Sequence, residues 1–217
     1  MALTVHDLLT SVAYRRGESG NPDNATEQAR RLRFLNEAYR AVLLKNRYWF
    51  TVKTGSDSTK ADHEAYDLPA DFRDMLEVRI DDIARYPMAD FDAFASYRYP
   101  PDIPTYDDRQ RYYLSGNQIH FLPAPTEDGT NNIAYRYYYW PANPTQMSDT
   151  VIIPDQYTDA LVAYVFARLA HQDGERGDAS DGFEEFNEIV REMNKENMRR
   201  GLWGKGINGG EIRPDWL

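Results

Sequence analysis

The sequence contains no cysteine and only four histidines among its 217 residues. The absence of cysteine excludes disulfide frameworks, thiolate catalysis and zinc ribbons. No apolar run approaches the roughly 18–20 residues that span a bilayer, and the first residues lack the features of a signal peptide. Positive charge is also scarce, with 25 Lys and Arg against 35 Asp and Glu. The formal net charge of −10 argues against a main role in coating nucleic acid, because phosphate binding needs a basic face. We therefore expect a soluble protein that is made in the cytoplasm.

Tyrosine and proline are instead abundant, at 16 and 12 residues, and most lie in the middle third of the chain. Outside that third, apolar residues recur at helical spacing. Thr4 with Asp7, and Asn24 with Glu27, stand at capping-box spacing. The pattern predicts helices over residues 3–16, 25–45, 155–171 and 181–200. Short aromatic or β-branched runs predict strands at 49–54, 65–68, 75–80, 111–114, 118–122 and 132–140, with a hairpin turn at 115–117.

This order of elements predicts an α+β fold. We expect a helical bundle of about four helices, with an inserted antiparallel β-rich domain and an extended C-terminal arm. Residues 1–47 supply the N-terminal helices of the bundle, 48–153 the β-rich domain, 154–200 the C-terminal helices and 201–217 the arm.

A search for catalytic or metal-binding residues finds no constellation. The histidines lack HxxxH or HxH spacing. The cluster Asp62-His63-Glu64 is typical of a solvated hairpin tip, although a hydrolase that uses these three residues is a remaining alternative. The GxGxxG match at residues 204–209 follows a helix, whereas a dinucleotide site needs a preceding strand. We therefore expect no enzymatic activity, no metal and no cofactor.

The aromatic residues near position 137 and the C-terminal residues are the candidate contact sites. Tyr137, Tyr139 and Trp140 lie in a strand with more aromatic residues than one buried face requires, which favours core packing and a contact with a neighbouring subunit. The alternative is a carbohydrate-stacking platform in an accessory module. The arm carries side chains that dominate interface energetics, so we expect it to order on docking. Its candidate docking residues are Arg199, Arg200, Trp203, Ile207, Arg213, Trp216 and Leu217.

Several longer phrases occur along the chain in a characteristic order. They are LRFLNEAYRAVLLKNRYWF (32–50), EAYDLPADFRDMLEVRI (64–80), RYYLSGNQIHFLPAP (111–125), NIAYRYYYWPANPT (132–145) and IPDQYTDALVAYVFARLA (153–170). Their serial order resembles the head-to-tail connector, or adaptor, proteins of tailed bacteriophages.

The resemblance implies a structural virion protein at the head–tail interface, made in the host cytoplasm. It implies a ring of about twelve copies beneath the portal protein, which extends the DNA channel and carries the downstream tail or nozzle protein. It also implies that the C-terminal arm docks onto the portal, and that Tyr137, Tyr139 and Trp140 contact another subunit or a tail component. Genomic DNA would pass through without sequence-specific binding, and no membrane is involved. The net charge of −10 predicts an acidic bore, unless Arg30, Arg31 or Lys45 lines it.

Overall fold

The computed structural model describes residues 3–20, 24–87 and 111–204, with side chains as far as position 200. These residues form two compact units. Unit 1 combines the chain up to Thr51 with the chain from Pro141 onward, and unit 2 is Val52–Trp140. Unit 2 is therefore an insertion in the sequence of unit 1. Unit 1 contains the helices and unit 2 the strands, so the predicted mixed α+β class is confirmed.

Four helices are described in unit 1: α1 (Val5–Arg15), α2 (Ala25–Lys45), α3 (Asp159–Asp173) and α4 (Arg176–Gly204). Helix α3 contacts the other three helices, which explains why it is buried on several sides. The apolar stripes of all four helices meet in one core. Its largest fully buried side chains are Leu8, Leu9, Phe34, Leu35, Tyr39, Tyr48, Ile153, Leu161, Leu169 and Met193.

The helix starts follow the capping predictions in part. The Thr4 hydroxyl accepts a hydrogen bond from the backbone N–H of Asp7, and the Asp7 carboxylate accepts one from the Thr4 N–H, so this box is complete. Asn24 caps α2 by accepting from the Thr26 N–H at 2.9 Å. Glu27 does not complete a second box as predicted, because its carboxylate binds Arg30 and Arg31.

Unit 2 contains seven described strands in one sheet: β1 (Val52–Asp57), β2 (Ala65–Asp67), β3 (Phe72–Ile80), β4 (Ile83–Pro87), β5 (Arg111–Ser115), β6 (Gln118–Leu122) and β7 (Ile133–Tyr139). Their spatial order is β1-β7-β3-β4-β5-β6-β2. The expectation of a purely antiparallel domain is wrong at one place, because β4 and β5 pair in parallel. The buried core of the sheet comprises Tyr66, Leu68, Val78, Ile80, Tyr112, Ile119, Phe121 and Ile133.

Two tight hairpins set the register of the sheet. Gly116 and Asn117 join β5 to β6, with Gly116 at φ +57°, as the sequence predicted. Asp81 and Asp82 join β3 to β4 with φ +51° and +62°, and a positive φ at both central residues is typical of a type I′ turn.

Several predicted element ends differ from the structure. Helix α3 begins at Asp159, after a single 3₁₀ turn at Asp155–Tyr157. Helix α4 begins at Arg176 rather than 181 and continues to Gly204. The first four residues of the predicted arm are therefore helical. Strand β4 was not predicted, and the proline-rich loop predicted at 97–108 lies outside the described residues.

Candidate functional site

The C-terminal part of α4 is joined to the segment that follows α2 by two asparagines. Asn197 accepts a hydrogen bond from the backbone N–H of Trp49 at 3.1 Å and donates one to the Arg47 carbonyl at 2.8 Å. Asn194 accepts from the Tyr48 hydroxyl at 2.8 Å. Asn197 therefore pairs with backbone groups of the segment and Asn194 with its tyrosine side chain, and together they fix the position of the last helical turns.

The candidate docking residues at positions 199 and 200 lie just beyond these asparagines. Arg199 is exposed. The guanidinium carbon of Arg200 lies 4.4 Å from the centroid of the Trp49 ring, and its Nε donates to Glu196 at 2.8 Å. Met198 is 59% exposed, so an apolar side chain accompanies the two arginines at the surface. This combination of Arg, Met and a nearby aromatic ring is typical of protein interfaces.

The remaining candidate docking residues cannot all be placed. Trp203 belongs to the last turn of α4. Ile207, Arg213, Trp216 and Leu217 lie outside the described residues.

Strand β7 presents a second candidate contact surface, within unit 2. Tyr137 is only 4% exposed, and its hydroxyl donates to Asp71 Oδ1 at 3.0 Å. Lys53 Nζ donates to Asp71 Oδ2 at 2.6 Å, and this bond, with the one from Tyr137, holds the pKa of Asp71 below its ordinary value. Burial and the bond to Asp71 raise the pKa of Tyr137 to about 12. Tyr137 is thus a neutral, internally bonded residue with little surface for a partner.

Tyr139 and Trp140 are the members of this set that solvent reaches. Trp140 is 40% exposed, and the guanidinium of Arg73 lies 4.2 Å from its ring centroid. The ammonium of Lys53 lies 4.0 Å from the ring centroid of Tyr139. Each ring is therefore already paired with a cation on one side.

The comparison with protein families shows which family the chain belongs to. The model of the SU10 adaptor protein family matches residues 3–208, which is nearly the whole chain. The chain belongs to the SU10 adaptor protein family. No curated protein matches it. The predicted membership in a phage head-to-tail adaptor family is confirmed.

Membership in the SU10 adaptor family identifies the chain as a phage adaptor protein and a virion component that interacts with other phage structural proteins. Both candidate contact sites are consistent with such interactions. Asn194 and Asn197 form the contact at the end of α4. They were not identified as candidate residues from the sequence. Their i, i+3 spacing in an otherwise charged stretch of α4 places them on one helix face and was the available signal.

Two residues of the alternative catalytic cluster, Asp62 and His63, have contacts within unit 2. Asp62 adopts φ +59° in a turn, where its backbone N–H donates to the Pro125 carbonyl. His63 instead contacts the edge of Tyr66, with ring centroids 5.2 Å apart. In the described part of the chain, no three His, Cys, Asp or Glu side chains converge as a metal site would require. Within the same residues, no helix combines the length and apolar composition needed to cross a bilayer.

The arginines of α2 have partners that the sequence did not reveal. Arg31 is only 3% exposed. Its guanidinium bonds to Glu18 at 2.7 Å and to Glu27 at 2.9 Å. Arg30 also binds Glu27, at 2.8 Å. Lys45 donates to Asn187 at 3.1 Å. The burial of Arg31 leaves it little surface with which to line a channel.

Proposed function

We propose that this chain is a structural head-to-tail adaptor that assembles as a ring of about twelve copies beneath the portal. The ring would extend the DNA channel and form the attachment platform for the downstream tail or nozzle protein. The match of the SU10 adaptor family to residues 3–208 is the observation that carries this proposal. The helical bundle, the inserted β-rich domain and the C-terminal arm are its proposed functional parts, and none of them is catalytic.

The proposed portal contact begins at the end of α4. Asn194 and Asn197 tie this end to the body of unit 1, so residues beyond it start from a fixed point. Arg199 and Met198 are exposed there. A segment that orders on docking loses less entropy when its first residues are already in place. This supports an arm whose root is the last helical turn rather than a linker from position 201.

The proposed ring requires two different faces on each copy, because a heterologous contact closes a ring only by repeating head to tail. Apart from Met198 at the proposed portal contact, unit 1 exposes the large apolar side chains of Tyr14 and Leu44, at 63% and 67%. Unit 2 exposes those of Leu76, Ile83, Tyr86, Leu114 and Trp140. These side chains are the candidates for the two faces. A net charge of −10 per copy supports a channel that DNA passes without binding tightly.

The native mass of the purified chain, alone and mixed with its cognate portal, tests the proposal. We expect a ring-sized particle that binds the portal. Removal of residues 205–217 should abolish portal binding and leave the helix content unchanged. Arg199→Ala should weaken binding, whereas Arg191→Ala, at another exposed position on α4, should not. A monomer that ignores the portal with or without the arm would contradict the proposal, and glycan binding by that monomer would favour the accessory-module alternative.

A further inference from the structure

Unit 2 contains a cavity of about 230 Å³ between the β3–β4 hairpin and the loop that precedes β7. Its polar lining includes Thr59, Asp81, Arg85, Glu127, Asp128 and Asn132. The volume corresponds to several water molecules, since a liquid water occupies about 30 Å³. A polar group of the size of an amino-acid side chain therefore fits.

Most polar atoms around the cavity are already paired with each other. Asn132 Nδ2 donates to Thr59 Oγ1 at 2.9 Å and to Asp81 Oδ1 at 3.1 Å. The Thr59 hydroxyl donates to the Glu127 carbonyl at 3.0 Å. Asp128 Oδ1 accepts from the Ala61 N–H at 2.8 Å. The wall is thus held rigidly by its own hydrogen bonds.

Arg85 is the exception among these residues. It lies on β4, is only 8% exposed, and its Nε and Nη1 have no hydrogen-bond acceptor. Within the described ranges it forms no ion pair, and the nearest compensating features are the charge of Asp81 and the ring of Phe121, whose centroid is 6.0 Å away. A distance of 6 Å is the outer limit for a cation–π contact.

Two buried guanidinium nitrogens without acceptors are costly, because they lose their hydration and gain no hydrogen bond in return. Such a group in the wall of a polar cavity is therefore suited to an anionic acceptor that enters from outside. Guanidinium donors match the planar geometry of a carboxylate. The negative charges of Asp81, Glu127 and Asp128 repel additional negative charge in the cavity. An anion with a single charge is therefore favoured over a phosphate or sulfate.

We propose that this cavity binds a carboxylate group and that Arg85 is the side chain that recognises it. The carboxylate is either a free small carboxylate or the side chain of an Asp or Glu from another copy of this chain. The residues that line the cavity all belong to unit 2 of one copy, so its binding of a free carboxylate can be tested without the portal or the C-terminal arm.

Acetate is the probe, because it has the chemistry of an Asp or Glu side chain. We expect saturation transfer from the full-length protein to the acetate methyl group, observed by NMR. The transfer should fall severalfold in Arg85→Met and be retained in Arg136→Met, which removes an arginine that is 58% exposed on β7. Acetate should also raise the melting temperature above that in equimolar sodium chloride, in the wild type and in Arg136→Met but not in Arg85→Met. Arg85→Lys keeps the charge and should give a reduced response.

Three results would overturn the carboxylate site. They are no saturation transfer, equal transfer in Arg85→Met and wild type, or a stronger stabilisation by sulfate than by acetate at equal concentration. If Arg85→Met does not fold, the comparison of acetate binding by Arg85→Lys and by Arg136→Lys tests the site instead.

The native mass of the protein then distinguishes a free carboxylate from an Asp or Glu side chain of another copy. Loss of assembly both in Arg85→Lys and on addition of acetate assigns the carboxylate to another copy, whereas unchanged assembly assigns it to a free ligand.

Discussion

Arg31 is a residue whose charge is stabilised inside the fold rather than at its surface. It bonds to Glu18 and Glu27, and these carboxylates keep Arg16 and Arg30 as additional partners. We expect Arg31→Met to lower the free energy of unfolding by about 1–3 kcal/mol, less than for a fully buried pair because both carboxylates retain a partner and some solvent. Arg33→Met is the control on the same helix. Arg33 is 63% exposed and 3.8 Å from Glu37, so its loss should change stability by less than about 0.5 kcal/mol. Urea denaturation at neutral pH measures both, and equal effects would contradict the buried network.

Glu27 makes the same network sensitive to acid. Burial raises the pKa of Glu27, but the hydrogen bonds from Arg30 and Arg31 outweigh it and the net pKa is lowered. The stabilisation is therefore present above the unfolded-state pKa of about 4.3 and is lost as the pH falls through the lower folded-state pKa. In Glu27→Gln, the decline of the unfolding free energy below about pH 5 should be shallower than in the wild type. Parallel pH profiles for the two proteins would show that Glu27 does not contribute to the acid sensitivity.

The hydrogen-bond partners of single residues could be predicted from the sequence only where both partners are close together in it. The Thr4–Asp7 capping box could be predicted because both partners lie within one turn. Glu27 is at the same spacing from Asn24, but its competing cations are one turn further along α2. Arg31 could not be assigned as buried, because its partner Glu18 lies in the loop before α2 and only the folded chain brings the two together.

At the scale of elements, the close contact between α3 and α4 depends on Gly182. A Cβ atom there would lie 2.9 Å from Ala167 Cβ and 3.1 Å from the Ala163 carbonyl oxygen, both of which are fixed to the α3 backbone. Gly182→Ala should therefore lower the melting temperature, even though alanine favours a helix by up to about 1 kcal/mol. Gly177→Ala is the matched control in the same helix. Apart from its chain neighbours and the backbone of its own helix, no atom lies within 4 Å of the added Cβ, so this substitution should be neutral or stabilising by about 0.4–1 kcal/mol. A melting temperature that rises in both variants would contradict the tight contact.

Elements were predictable where their buried residues are apolar and regularly spaced. Helix α2 and strand β6 lie at the predicted residues for this reason. Strand β4 has a single buried residue, and that residue is Arg85, so it shows no alternation of apolar and polar residues. The start of α4 was missed because its first turn is polar and contains Gly177, a composition that is also typical of a loop. The side-chain contacts of Asn194 and Arg85 depend on residues distant in sequence and could not be derived from local patterns.

At the scale of the whole molecule, the negative net charge of each copy opposes self-assembly. Each copy has a formal net charge of −10, so identical copies repel at long range. Raising the salt concentration from about 0.01 M to about 1 M shortens the Debye length from about 30 Å to about 3 Å. If the proposed ring is joined mainly by exposed apolar side chains such as Tyr14 and Leu44, salt should screen the repulsion between copies without weakening these contacts.

We therefore expect the assembled fraction to increase with sodium chloride concentration at a fixed protein concentration. Sedimentation velocity measures this fraction directly. Leu44→Ser should reduce assembly at every salt concentration, because it removes apolar area from an interface while leaving the net charge unchanged. Thr54→Ser, at an exposed position in unit 2, is the control and should not. Assembly that falls steadily with added salt would contradict an apolar interface and would indicate ion pairs between copies, since these are the contacts that salt weakens.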